Sequence, residues 1–552
     1  MAQANEYDYL IVGAGSAGCL LANRLSADPA NEVCLLEAGP RDWNPFIRIP
    51  AGVIAMMWGK TFNWGYQTEP EKQLNHRRLF WPRGRTLGGS SSVNAMCYTR
   101  GAPSDYNHWA ALGNEGWGYA DLLPHFKACE NFEAGANDWH GEGGGYNVAE
   151  ARHRSPLSDA FLSAAQECGY PRNDDFSGAS DEGFGYYHVA QKDGRRCSNA
   201  DAFLHPVADR PNLTVRTRTR ALRILLENNR AVGVVAKKGH RLQPLVLRAR
   251  REVIVSGGAI NSPQLLLLSG IGPRKAIEPH GIALQHELPG VGENLQDHLN
   301  ITLIHRERGR HSISLHPRWL LTEGLKALWQ YFFGGRRGWP PSNIAETGGF
   351  VKLHPQDKVC GVQCHFLPVI EQNHGRNLWN GCKYHGYSLH LCELRPRSRG
   401  RIRLHNAVPT SDARIEPNYL GDRSDLESMV AAVRLGRRLL DADALAPHSR
   451  DEFRPGPEVE SDEQIRAFIR AEAETIYHPV GSCKMGHDNM AVVDDRLRVH
   501  GLAGLRVVDA SIMPTLVGAN TNAPTTAIAD KAAALILADQ QSAGLRQKVV
   551  AA

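Results

Sequence analysis

The sequence predicts an α/β protein, α+β over its whole length, built as two parts, and three observations carry that reading. A strand, glycine turn, helix and second strand open the chain at residues 8–39. Alternating runs such as YSLHLCEL (387–394) and GRIRLH (400–405) mark a second, more antiparallel region in the middle, about 306–460. The 552 residues exceed what one ordinary core accommodates, so two domains, or a large domain with a subdomain, are expected.

Bulk properties narrow the class. A hydrophobic fraction of 42% fits a globular chain. The net charge of +5 and pI near 8.6 are mild for this size and give no nucleic-acid signature. RTRTRALR (216–223) reads as a strand with one solvated face rather than a phosphate track. The eleven cysteines are scattered, with no CxxC pair, which predicts free thiols in a reducing compartment. Glu6 and Asp8 sit where a signal peptide would be apolar, and no run reaches the roughly 20 apolar residues that span a bilayer. A cytoplasmic location is expected.

In DYLIVGAGSAGCLLANRLSADPANEVCLLEAG (8–39), Asp8–Val12 is the first strand and Ala17–Leu25 the helix. Between them lies G-x-G-x-x-G. Gly13 permits the tight turn, Gly15 leaves room for a pyrophosphate, and Gly18 lets helix and strand approach. The free amides at the helix N-terminus favour phosphate. Glu37 ends the second strand, where its carboxylate can accept from a ribose diol. An adenine dinucleotide follows, with NAD and FAD both open at this point.

Two further stretches are GRTLGGSSSVNAMCYTRG (84–101) and GGAINSPQLLLLSGIG (257–272). The first sets flexible Gly88 and Gly89 beside three serines and Asn94, which can hydrogen-bond a bound group. The second runs from an apolar strand (Val253–Val255) through small residues into a helix. With VGENLQDH (291–298) and RVVDASIMPTLVGANTNAPTTAIADKAA (506–533), they resemble the signature stretches of the glucose–methanol–choline (GMC) oxidoreductases, over nearly the whole chain. The bacterial alcohol and choline dehydrogenase branch is most similar, with enzymes of aliphatic and polyether alcohols nearest.

The resemblance implies a Rossmann-like FAD-binding domain assembled from separated segments, 1–155, 200–305 and 465–552. A substrate domain with a mainly antiparallel sheet and helices takes 156–199 and 306–464. It implies FAD contacts from Ser16, Ala17, Ala38, Arg85, Gly89, Ser90, Asn94, Ala95 and Met96. Ala221, Asp509, Ala510, Thr521 and Asn522 complete that set. Pro524 is expected to open the last helix, whose exposed amides suit the charge forming on a reduced flavin. Some family members bind FAD covalently through a histidine in the first signature. Val93 holds that position here, which predicts dissociable FAD.

IYHPVGSCKMG (476–486) gathers His478, Cys483 and Met485, without the repeated spacing of a zinc site. A packed core histidine is one reading. The resemblance assigns His478 as the catalytic base and Asn520 as its partner, with Asn522 competing for the second role. A neutral imidazole can take an alcohol proton near working pH, and an amide can hold the oxygen while hydride leaves carbon.

The resemblance implies oxidation of a primary alcohol, aliphatic or polyether, with electrons passed to a quinone or other non-nicotinamide acceptor. Choline relatives carry acids after the DH motif. Asn300 and Arg306 stand there in this chain, which weakens choline. An O₂-using oxidase and a non-redox FAD lyase are the alternatives. WLLTEGLKALWQYFFGGRRGWPP (319–341) carries an apolar stripe of Leu321, Leu325, Leu328 and Phe332. It reads either as a core-packed helix or as a lid touching a membrane surface.

Overall fold

The computed structural model describes residues 5–239, 243–314, 316–377 and 379–551. Its leading strands in chain order are β1 (Glu6–Val12), β2 (Val33–Leu36), β3 (Gly183–Tyr186), β4 (Leu213–Arg216), β5 (Thr219–Glu227), β6 (Arg230–Lys238) and β7 (Leu245–Val255). They continue with β8 (Leu299–Glu307), β9 (Thr347–Val351), β10 (Val362–Leu367), β11 (Gly386–Glu393), β12 (Ser449–Arg454), β13 (Glu474–Thr475) and β14 (Leu505–Val507). The helices used below are α1 (Ser16–Leu25), α2 (Gly258–Leu268), α3 (Arg423–Leu440) and α4 (Asn522–Ala551).

The first seven-stranded sheet runs β4-β2-β1-β7-β6-β5, with β14 also on β7. β4, β2, β1, β7 and β14 are parallel, whereas β5 and β6 form an antiparallel extension. Helices cover the parallel part, so β1 and β2 are buried almost throughout and read as continuous apolar runs. β7 changes partner along its length. Leu245–Arg248 pairs with β6 and Val253–Val255 with β14. That exchange brings the chain's C-terminal segment into the sheet one strand away from its first strand. RTRTRALR is two strands rather than one, because the chain turns through Arg218 (φ 53°) between β4 and β5.

The second sheet is antiparallel, in the order β12-β8-β11-β10-β9-β3, with β13 on β8. α3 lies on it. Its start is capped by Asp422, whose carboxylate accepts from the Ser424 amide, and Leu426, Met429, Val433 and Leu439 are buried on one face. YSLHLCEL falls in β11 as its alternation predicts. GRIRLH pairs instead with Arg414–Glu416 in a separate two-stranded ribbon. β8 enters this sheet at Leu299, before the expected border at 305/306, and β13 joins it from within 465–552. The chain therefore crosses between sheets directly after the DH motif. All eleven cysteines are free.

Candidate active site

One cavity of about 380 Å³ reaches from the turn after β1 to the side chains of His478 and Asn520. Its nucleotide end is made by backbone. Gly13 (φ 108°) donates its N–H to the Leu36 carbonyl at 2.8 Å. A Cβ on Gly18 would stand 1.8 Å from the Gly13 carbonyl oxygen, so only glycine lets α1 start this close to the turn. A Cβ on Gly15 would meet nothing within 4 Å and would project into the space the cavity leaves. A Cβ on Gly89 would lie 2.7 Å from the Gly15 Cα, so the second glycine loop folds directly against the first.

Ser16, Ala17, Glu37 and Ala38 line the same end. The Glu37 oxygens accept from the Gly39 amide (2.7 Å) and the Ala14 amide (3.1 Å), and burial pushes its carboxyl up to about 7. Each oxygen keeps a lone pair for a ribose hydroxyl. The open cradle at Gly15, the first-turn amides of α1 and this anchored carboxylate fit an adenine dinucleotide.

Ser90, Asn94, Ala95, Met96, Ala221, Ala510 and Thr521 also line the cavity. Asn94 Oδ1 accepts from the Met96 amide (3.1 Å) and from Arg196 (2.7 Å), fixing Met96 at φ 59°. Arg85 is not among the lining residues. Its guanidinium lies 5.0 Å over the Trp64 ring, and Arg83 and Gly84 face the cavity instead. Asp509 is a lining residue whose carboxylate accepts from the Gly258 amide (2.8 Å), the Ser262 hydroxyl (2.6 Å) and the Ser511 amide (2.8 Å). It thereby locks α2 to the turn after β14. Asn522 is tied into a structural network. Its Oδ1 accepts from Ser16 (2.5 Å), and its Nδ2 donates to Tyr146 (2.6 Å) and Asn199 (3.1 Å). α4 begins at Asn522, two residues before Pro524, which still sits in the first turn where no backbone donor is needed.

The other end is made by side chains. His478 and Asn520 face each other, with Nε2 and Nδ2 3.2 Å apart. The hydrogen-bond network sets the orientation of both. The Thr99 hydroxyl accepts from the Asn520 amide (3.1 Å), so its own hydrogen is free for Asn520 Oδ1 (2.9 Å). Gln363 Nε2 donates to the same Oδ1 at 3.0 Å. With Oδ1 accepting twice, Nδ2 points at His478, whose Nε2 must accept. The His478 proton then sits on Nδ1 and is donated to His298 Nδ1 at 2.9 Å. Burial, followed by the neighbouring His298 and Arg83, holds the His478 imidazole well below its usual value. Burial, followed by Arg395, brings His298 down to about 3. Both rings are neutral at pH 7, and the His478 lone pair is met by the Asn520 amide at the cavity wall.

Asp297 fixes the loop that carries His478. Its oxygens accept from the His478 amide (2.7 Å) and the Thr475 hydroxyl (2.5 Å). Asp297, His298, Thr99 and Gln363 were not singled out by sequence reasoning. The DH motif was the available signal, but 180 residues separate it from the histidine it supports.

Beyond His478 the cavity is lined by Val53, Ile54, Met57, Ile344, Leu367, Val369 and Ile370, with His365, Glu371, His374 and His390 among them. Burial alone would raise the Glu371 carboxyl, but the hydrogen bond from His390 and the neighbouring Gly375 amide leave it lowered. Arg306 takes no part. It pairs with Asp451 through Nε (2.6 Å) and Nη2 (2.5 Å), and is not among the cavity residues. Asn300 donates to His390 Nδ1 at 3.0 Å. The Arg306 part of the sequence argument against a cationic substrate therefore loses its basis. The residue that repels cations by charge lies elsewhere, and a carboxylate absent from that argument lines the site.

The N-terminal GMC oxidoreductase family model matches residues 7–300 and the C-terminal one residues 396–529. An alcohol dehydrogenase [acceptor] of Pseudomonas putida is 50% identical, covering 98% of this chain and 97% of its own. The mitochondrial choline dehydrogenase of Mus musculus is 44% identical over 96% and 89%. The crystal structure of pyridoxine 4-oxidase from Mesorbium loti superposes with a TM-score of 0.84 at 32% identity, covering 96% of this chain and 98% of that one. The chain belongs to the GMC oxidoreductase family, whose members bind FAD.

Proposed function

We propose that the protein oxidises a primary alcohol with an apolar tail to the aldehyde and hands the electrons to a quinone or a similar non-nicotinamide acceptor. The single observation that carries the reading is the His478–Asn520 pair, 3.2 Å apart and set at the start of an apolar pocket. The name of the 50% identical relative, an alcohol dehydrogenase that uses an acceptor, supports the same reading.

The residues act as follows. The substrate hydroxyl enters between His478 and Asn520 in place of their mutual hydrogen bond, and His478 Nε2 then accepts its proton, because burial keeps that nitrogen unprotonated. Asn520 Nδ2 donates to the same substrate oxygen as negative charge grows on it. Thr99 and Gln363 hold the amide in the donating orientation, and His298 holds the His478 proton on Nδ1. The apolar wall orients the tail and excludes water. FAD, when bound against Gly15 and the Gly89 loop, supplies the hydride acceptor.

A cationic alcohol such as choline is the second reading, and Glu371 favours it. Anaerobic mixing of the flavin-loaded protein with 1-butanol, 1-octanol and choline separates the two. Bleaching of the flavin absorbance by octanol at far lower concentration than by choline supports the first reading. Bleaching by choline alone overturns it.

A further inference from the structure

The helical segment 317–333, formed by Pro317–Trp319, Leu320–Gly324 and Leu325–Phe333, is turned inside out relative to an ordinary surface helix. Gly324, Ala327 and Tyr331 face the protein, and the Tyr331 hydroxyl donates to the Gly194 carbonyl at 3.1 Å. The large apolar residues face out. Leu321 is 69% exposed, Leu325 57%, Trp329 63%, Phe332 61% and Phe333 78%. Their spacing of i, i+4, i+8, i+11 and i+12 forms one stripe about 20 Å long. The core-packed reading of this stripe is overturned, because these side chains point away from the protein.

The charge around the stripe is one-sided. Arg308, Arg310, Arg318, Lys326 and Arg337 are exposed, and Glu323 is the one acid between 308 and 337. An apolar stripe bordered by cations complements a surface that offers acyl chains beneath anionic headgroups. It complements a second copy of itself poorly, because like charges would meet. No helix among the described residues is long and apolar enough to cross a membrane, so the segment would lie in the interface. Its base is also part of the site. Trp319 and Trp339 pack with Val53, Ile344 and Leu367, three residues of the cavity wall.

We propose that this segment docks the protein on an anionic phospholipid bilayer, with Leu321, Leu325, Trp329, Phe332 and Phe333 inserted among the acyl chains and the apolar end of the cavity held beside the membrane. Docking rests on the exposed face and stands apart from the alcohol reading. That an apolar alcohol or quinone would enter from the membrane rests on that reading.

The test is co-sedimentation of the flavin-loaded protein with vesicles of phosphatidylglycerol and phosphatidylethanolamine, and with phosphatidylcholine vesicles as the neutral control. The wild type is expected to sediment with the anionic vesicles and only weakly with the neutral ones. Trp329→Ser combined with Phe332→Ser and Phe333→Ser is expected to lower the vesicle partition coefficient at least about tenfold, with flavin content and turnover of a water-soluble alcohol unchanged. Lys326→Glu with Arg318→Glu, which leaves the apolar stripe intact, is expected to weaken binding to anionic vesicles alone, and it serves if the triple variant does not fold. Failure of the wild type to sediment, or equal sedimentation of wild type and variants, overturns the proposal. So does a wild-type dimer by light scattering that the triple variant makes monomeric, because the face would then belong to a second copy. None of these readouts depends on which alcohol is oxidised.

Discussion

The two ends of the cavity are built on different principles. The nucleotide end is made of main chain. Gly13, Gly15 and Gly18 lie within one turn, and each does its work by lacking a Cβ. The substrate end is made of side chains from β10, β11 and the loops around residues 99, 298, 371, 478 and 520. Backbone sites can be short and local, because amides come with every residue. A proton-transfer site needs particular side chains in particular orientations, and these are drawn from wherever the fold brings them. Substitutions at the two ends should therefore fail differently.

The largest effect is expected at the substrate end. His478→Ala should lower kcat/KM by about 10²–10⁴ with flavin still bound, since it removes the base and nothing from the nucleotide end. Steady-state kinetics with a flavin spectrum checks it, and loss of flavin along with activity would blur the contrast between the ends. Asn520→Ala should cost about 10²–10³ in kcat, as for removal of one donor to a developing oxyanion. Asn522→Ala should instead loosen flavin binding, because Asn522 links Ser16 to Tyr146 and Asn199. A reversal of these two phenotypes would exchange their roles.

At the nucleotide end, Gly18→Ala should destabilise the fold by about 1–3 kcal/mol, the usual range for overpacking, because its Cβ meets a backbone carbonyl that cannot move aside. Gly15→Ala should leave the melting temperature of the flavin-free protein unchanged and weaken flavin binding, since its Cβ enters only the cradle. Thermal unfolding and flavin titration distinguish the pair. A smaller effect concerns attachment. Val93 lines the cavity with no atom able to bond the flavin, so acid precipitation should release all of it into the supernatant.

A last effect is on stability against pH. His298 is held at about 3 when folded and returns to about 6.5 when unfolded. Between those values the unfolded chain binds more protons, so stability rises with pH across that window and is lost as pH falls from 6.5 toward 3. In His298→Phe the acid-side decline measured by denaturant titration should be shallower.

Legibility in the sequence follows the same division. The G-x-G-x-x-G turn, Glu37 and the parallel strands around them were readable because their geometry is local and periodic. His478 and Asn520 were readable through the family resemblance, not through spacing. Their supports were not. Thr99, His298 and Gln363 lie 421, 180 and 157 residues from the partners they orient. Arg306 misled because its place after the DH motif says nothing of its side chain. On a strand with two faces it turns to Asp451. The stripe of 317–333 was visible as a period, but a period does not say which side is covered.

The most direct test of the central claim, that a buried neutral His478 takes the alcohol proton, is the rate of anaerobic flavin reduction by a primary alcohol from pH 5 to 9. It should be followed in the wild type and in His478→Gln. The account predicts a wild-type rate that stays level as pH falls through 6.5, because the imidazole is held well below that value. It also predicts a variant that is slow at every pH with its flavin bound. A wild-type rate that falls off with a midpoint at or above 6.5, or a variant that is reduced as fast as the wild type, would contradict it.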